Sequence, residues 1–197
     1  LKTIGATMDN SGSIKEVSKI KKSIDIIAEE ENTLTIEAEN LNAEEDRLGW
    51  PISDFDELTV TKKLFLPFLK LWNLASSYSK LQLRWRKGPV IQLDAEEVER
   101  VTNEMWREVY KLGKTLEDVS PIAAKLALEI KLQLDQLKST MPLLIAVCNP
   151  GLRQRHWNQM TEHVGFTLGA DDSMSMFDLL KMGAGEAKKV ELLSQVS

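Results

Sequence analysis

The chain is poor in the residues that build reactive or crosslinked sites. It has one cysteine, Cys148, in 197 residues, so no internal disulfide is available and a reducing compartment is expected. Its two histidines, His156 and His163, leave little material for a metal centre or an acid–base relay. Glycine is sparse, and no stretch alternates Val, Ile and Thr over strand length, which argues against sheet. A basic excess is also missing: 25 Lys and Arg face 30 Asp and Glu, for a formal net charge of −5. Nucleic acid and anionic membranes both need clustered cations to displace counterions, so neither is an expected partner. The longest apolar run, Met141 to Cys148, is far short of the roughly 18 to 20 residues that span a bilayer. The opening "LKTIGATMDNSGS" has no apolar core of the kind a signal peptide carries. These absences predict a soluble intracellular protein.

What is present is helical periodicity. From Val17, steps of three and four reach Ile20, Ile24, Ile27, Glu31, Leu34, Ala38, Leu41, Glu45 and Leu48. One set of seven-residue positions (Ile20, Ile27, Leu34, Leu41, Leu48) is wholly apolar, a narrow seam suited to one or two neighbouring helices. Gly49 and Pro51 stop this helix. A second helix is expected from about Asp56 to Arg86, kinked or divided at Pro67. Asp94 with Glu97 forms a capping-box pattern opening a third, through roughly Leu112. Ser120-Pro121 starts a fourth, whose apolar stripe runs from Ala123 to Leu144 with a bend at Pro142. Asn149-Pro150 repeats the cap-plus-proline signal, and two shorter helices follow near 174–182 and 186–196. The expected fold is all-α, an elongated array of long antiparallel helices. Residues 1–13 read as a frayed end. Residues 14–119 read as the first helical hairpins, and 120–197 as a long helix, a joint and C-terminal helices.

No stretch supplies catalytic chemistry. "LGKT" at 112–115 has Glu108 where a phosphate-binding loop needs glycine, and no strand precedes it. His156 and His163 lie about 10 Å apart along a helix, too far to share one zinc ion. Cys148 with His156 lacks the third group that orients a catalytic base, and Cys148 ends an apolar run. Of the five tryptophans (50, 72, 85, 106 and 157), Trp72 and Trp106 fall at helical apolar spacing and fit helix–helix anchors better than base-stacking platforms. No catalytic residue, cofactor site or metal site is expected.

The stretch "NPGLRQRHWNQM", residues 149–160, reads as a structural joint. Asn149, Pro150 and Gly151 break one helix and cap the next. Trp157 packs the new helix onto an earlier one, His156 makes a polar contact, and Arg155 bridges to a carboxylate or to helix-end carbonyls.

The succession of landmarks is informative. "LGWPISDF" (48–55) is followed by "PFLKLW" (67–72), "WRKGPV" (85–90) and "NPGLRQRHW" (149–157). Over roughly residues 28–197 this resembles the N-terminal part of the linker region of dynein heavy chains, of axonemal more than cytoplasmic type. The last motif is the most specific, matching at Asn149, Pro150, Gly151, Arg153, Arg155, His156 and Trp157. Phe55 departs from the tyrosine often found in the family.

The resemblance implies an all-α rod lying across a ring of ATPase modules, which bends during the nucleotide cycle and couples the ring to the tail. The chain would then be a non-catalytic piece of a microtubule motor. Its implied partners are the ring and tail of the same heavy chain and subunits of the dynein complex, with microtubules reached only through the parent motor. The implied location is the cytoskeleton in the cytoplasm, with the axoneme of a cilium favoured. The alternative from the residues alone is a helical adaptor or tethering bundle that binds a partner helix.

Overall fold

In the computed structural model, which describes residues 17–168 and 174–196, the backbone is helical almost throughout. The helices are α1 (Val17–Leu48), α2 (Asp56–Lys87), α3 (Ala95–Leu116), α4 (Pro121–Ser139), α5 (Met141–Val147), α6 (Gln154–Val164), α7 (Met176–Lys181) and α8 (Ala187–Val196), with one 3-10 turn at Val90–Gln92. The all-α class expected from periodicity is therefore the fold observed. Residues 1–13, expected to fray, lie outside the described residues.

The helix boundaries follow local chemistry. At the end of α1, Gly49 adopts φ +67°, the left-handed conformation open to glycine. This lets the Gly49 amide reach the Asp46 carbonyl at 3.1 Å and the Trp50 amide reach Glu45 at 2.9 Å, closing two otherwise unpaired carbonyls. At the start of α3 the Asp94 carboxylate accepts the amides of Glu96 and Glu97 at 3.0 and 3.2 Å. At the start of α4 the Ser120 hydroxyl accepts the Ala123 amide at 3.3 Å.

The two internal prolines act differently. Pro67 does not divide α2, which runs unbroken from Asp56 to Lys87. The loss of one backbone bond to Lys63 is offset by burial of Phe65, Phe68, Leu71 and Trp72 on one stripe of that helix. At Pro142, where a bend is expected, the helix is interrupted at the single residue Thr140, which separates α4 from α5. Thr140 keeps right-handed backbone angles, φ −94° and ψ −4°, and Pro142 sits in the first turn of the next helix, where a missing amide costs nothing. The Ser139 hydroxyl donates to the Gln136 carbonyl at 2.6 Å, while the Leu137 carbonyl accepts both the amide and the hydroxyl of Thr140 at 3.0 and 2.7 Å.

The chain forms two compact units. In the unit made of residues up to Ser77 together with Val109–Ile130, the buried side chains include Ile20 and Ile24 of α1, Leu71 and Trp72 of α2, Leu116 of α3 and Leu126 of α4. The unit made of Tyr78–Glu108 and the residues from Lys131 onward has its own core, described next.

Candidate functional site

The core of the second unit gathers Trp85, Val90, Leu143, Trp157, Met160 and Leu193 with their neighbours. α8 packs against α5 and α6, and the 3-10 turn packs against α5. The chain crosses from α5 to α6 through residues 148–153, the stretch that carries the sequence motif.

Asn149 organises this crossing. Its side-chain oxygen accepts the Gly151 amide at 2.8 Å, and its carbonyl accepts the Leu152 amide at 3.1 Å. These bonds define a tight turn with Pro150 and Gly151 at its centre, Pro150 supplying the φ that the first central position requires. Gly151 is not in the left-handed region; its need for glycine is one of room. A Cβ there would stand 3.1 Å from the Asn149 oxygen that the turn depends on.

The helix expected to open at Asn149-Pro150 opens instead at Gln154, with Arg153 at the cap position. The physical reason is competition: the Asn149 side chain is already spent on the Gly151 amide. The cap is made from the other side, where His156 Nδ1 accepts the Arg153 amide at 3.1 Å. Arg153 has no acceptor atom, so the reciprocal half of a capping box is absent. His156 Nε2 also lies 3.0 Å from the Nε–H of Arg155. A neutral imidazole offers one lone pair, so only one contact is a hydrogen bond. The Arg153 amide holds it, because that donor is fixed by the helix start while the exposed Arg155 side chain can turn to water. The expected bridge from Arg155 to a carboxylate is not present among the described residues; its guanidinium rests against His156 instead.

Trp157 is buried, with 4% of its surface exposed. Trp72 and Trp85 are buried as well, but Trp50 is 62% exposed and so is no helix anchor. Trp106 is half-buried and joins α3 to α4 through its polar edge. Its indole N–H donates to Asp135 at 2.6 Å, and the ammonium of Lys138 stands 4.3 Å from the ring centroid. This polar clasp escaped the sequence reading, since apolar periodicity carries no sign of which indole edge finds a carboxylate.

The remaining candidates for chemistry fall into place locally. Cys148 is partly buried, and its thiol donates to the Val90 carbonyl at 3.0 Å. Burial, with a smaller contribution from the charge of Asp94, pushes that thiol up to about 11. "LGKT" lies inside α3, where the Thr115 hydroxyl donates to the Lys111 carbonyl at 3.0 Å. His156 and His163 both sit on α6. Among the described residues no group of three His, Cys, Asp or Glu side chains is placed to hold a metal, and no helix is long and apolar enough to cross a membrane.

Residues 58–197 match the family model for the dynein heavy chain, N-terminal region 2. The chain belongs to the dynein heavy chain family. It is 35% identical to human dynein axonemal heavy chain 3 over 84% of its length, 4% of that protein. It is also 31% identical to the mouse heavy chain 3 over 91% of its length, and 29% identical to rat dynein axonemal heavy chain 1 over 79%. The chain thus spans only a small fraction of the dynein heavy chains it matches, and the whole turn from Asn149 to Trp157 falls within the matched region. As a dynein segment it corresponds to an N-terminal region of a motor component.

Proposed function

We propose that this chain is a non-catalytic mechanical segment of the linker of an axonemal-type dynein heavy chain. It couples the nucleotide cycle of the ATPase ring to movement along microtubules. The observation that carries this reading is the match of residues 58–197 to an N-terminal region of the heavy chain. The all-α architecture and the buried contacts around Trp157 support it, because a mechanical element needs stiff helices held by packed joints. In this reading Asn149, Pro150, Gly151, Arg155, His156 and Trp157 form the joint: the turn redirects the backbone, His156 closes the start of α6, and Trp157 locks the helix onto the core. The partners are the ring and tail of the same heavy chain and subunits of the dynein complex. The segment works in the axonemal cytoskeleton and meets microtubules only through the whole motor.

The test has two parts. Alone, the chain should neither hydrolyse ATP nor gain stability from it. A ligand at 100 times its dissociation constant would add about 2.7 kcal/mol, so a reproducible rise in melting temperature with Mg-ATP contradicts the non-catalytic reading. In the motor, removal of the segment should leave ATP turnover and abolish microtubule gliding; loss of turnover would place the segment in the hydrolytic machinery instead.

A further inference from the structure

α1 begins as a buried helix and ends as an exposed one. Ile20 is 6% exposed, whereas Leu34 and Leu41, which continue the same apolar seam, are 52% and 44% exposed. A seven-residue apolar repeat is a surface made to be covered, and over this half of α1 it is not.

Two open depressions border the uncovered half of α1. One is lined by Leu34, Leu41, Phe55 and Leu58 with the carboxylates of Glu37, Asp54, Asp56 and Glu57. The other is lined by Ile26 and Leu34 with Glu29, Glu30 and Glu37. They share Leu34 and Glu37: the first lies between α1 and the start of α2, the second is the open surface of α1 alone, and together they extend from Ile26 to Leu41, about 22 Å of helix at 1.5 Å per residue. No lysine or arginine lines either groove. The walls are also fixed in place. Glu45 accepts both the amide and the hydroxyl of Ser53 at 2.6 Å, and Lys62 pairs with Glu31 at 3.2 Å across the hairpin.

We propose that this face of the α1–α2 hairpin binds a basic amphipathic helix of a separate polypeptide. The partner's apolar stripe covers Leu34, Leu41 and Leu58, and its flanking Lys and Arg residues face Glu37, Asp54, Asp56 and Glu57. Charge decides the occupant. A second copy of this face would bring carboxylates against carboxylates, and an anionic membrane would be repelled in the same way. A helix of about four turns fits the track, and helix-in-groove recognition reads such anchors at three- and four-residue steps. The proposal does not rest on the linker reading, since it is argued from exposure and charge on α1 and the start of α2.

The test uses the 197-residue chain and three fluorescein-labelled peptides of equal length. The first is an amphipathic helix with leucines on one stripe flanked by lysines. The second has the same composition in scrambled order, and the third carries glutamates in place of the lysines. Anisotropy should show saturable binding of the first peptide only, weakening as salt rises. Binding should fall about tenfold or more in Leu34→Asp/Leu41→Asp, since each leucine loses an apolar contact. Glu37→Lys/Asp56→Lys/Glu57→Lys should lose the lysine peptide and gain the glutamate one, a result that a merely unfolded variant cannot give. The proposal is overturned if the scrambled peptide binds as well, if the variants bind like the parent chain, or if the chain sediments as a dimer that depends on Leu34 and Leu41.

Discussion

The thiol of Cys148 donates to the carbonyl oxygen of Val90, 3.0 Å away and 58 residues earlier in the chain. The contact ties the end of α5 to the 3-10 turn and leaves the sulfur in a setting that disfavours its charge. With the thiol pushed up to about 11, the thiolate fraction at neutral pH falls about a hundredfold below that of an ordinary cysteine. Cys148 should therefore react with iodoacetamide far more slowly in the folded chain than in urea. Equal rates in the two conditions would mean that the thiol is neither buried nor hydrogen-bonded.

Trp157→Ala should destabilise the chain by about 3 to 5 kcal/mol, since it empties a large, buried position in the core between α5, α6 and α8. Arg153→Ala should cost well under about 1 kcal/mol, because that side chain is exposed and the cap bond uses the Arg153 amide rather than its guanidinium. Urea melts of the two variants give the comparison. A binding site at this place predicts the reverse, a stable Trp157→Ala protein that has lost a ligand.

Two carboxylates set an acid limit. Hydrogen bonds from the Ser175 hydroxyl and amide hold Asp178 below its ordinary range, and those from the Ser53 hydroxyl and amide do the same for Glu45. A depressed carboxylate contributes stability above its unfolded value and loses it as pH falls through its folded value. The loss therefore begins below about pH 4.5. The urea midpoint should drop as the pH is lowered through this window, and the double variant Glu45→Gln/Asp178→Asn should drop less. Parallel curves for the two proteins would show that these carboxylates contribute nothing.

Much of this fold was legible because its punctuation is local. Gly49, Asp94 and Ser120 each act on amides or carbonyls within a few residues, so sequence alone locates the ends they make. Proline was harder, because its effect depends on what surrounds it. Pro67 is carried through α2 by a buried stripe, while Pro142 sits in the first turn after a one-residue interruption, where the Ser139 hydroxyl takes the Gln136 carbonyl. Asn149 was ambiguous for a different reason. A side-chain oxygen before a proline serves equally to start a helix or to close a turn, and only the Gly151 amide, 2.8 Å away, decides for the turn. The cap from His156 and the clasp between Trp106 and Asp135 depend on side-chain directions that periodicity does not encode. The seam of α1 was visible as a repeat, but which half finds cover is a tertiary fact.

The coupling role is tested most directly by softening the turn inside the whole motor. Two glycines inserted after Gly151 would lengthen the crossing between α5 and α6 while leaving every hydrolytic residue of the ring untouched. Microtubule gliding velocity and ATP turnover per motor are then measured on the same preparation. The account predicts that gliding slows sharply while turnover persists, because the ring cycles normally but its movement is no longer transmitted. Gliding at the parent speed, or a fall in turnover that matches the fall in velocity, would contradict it.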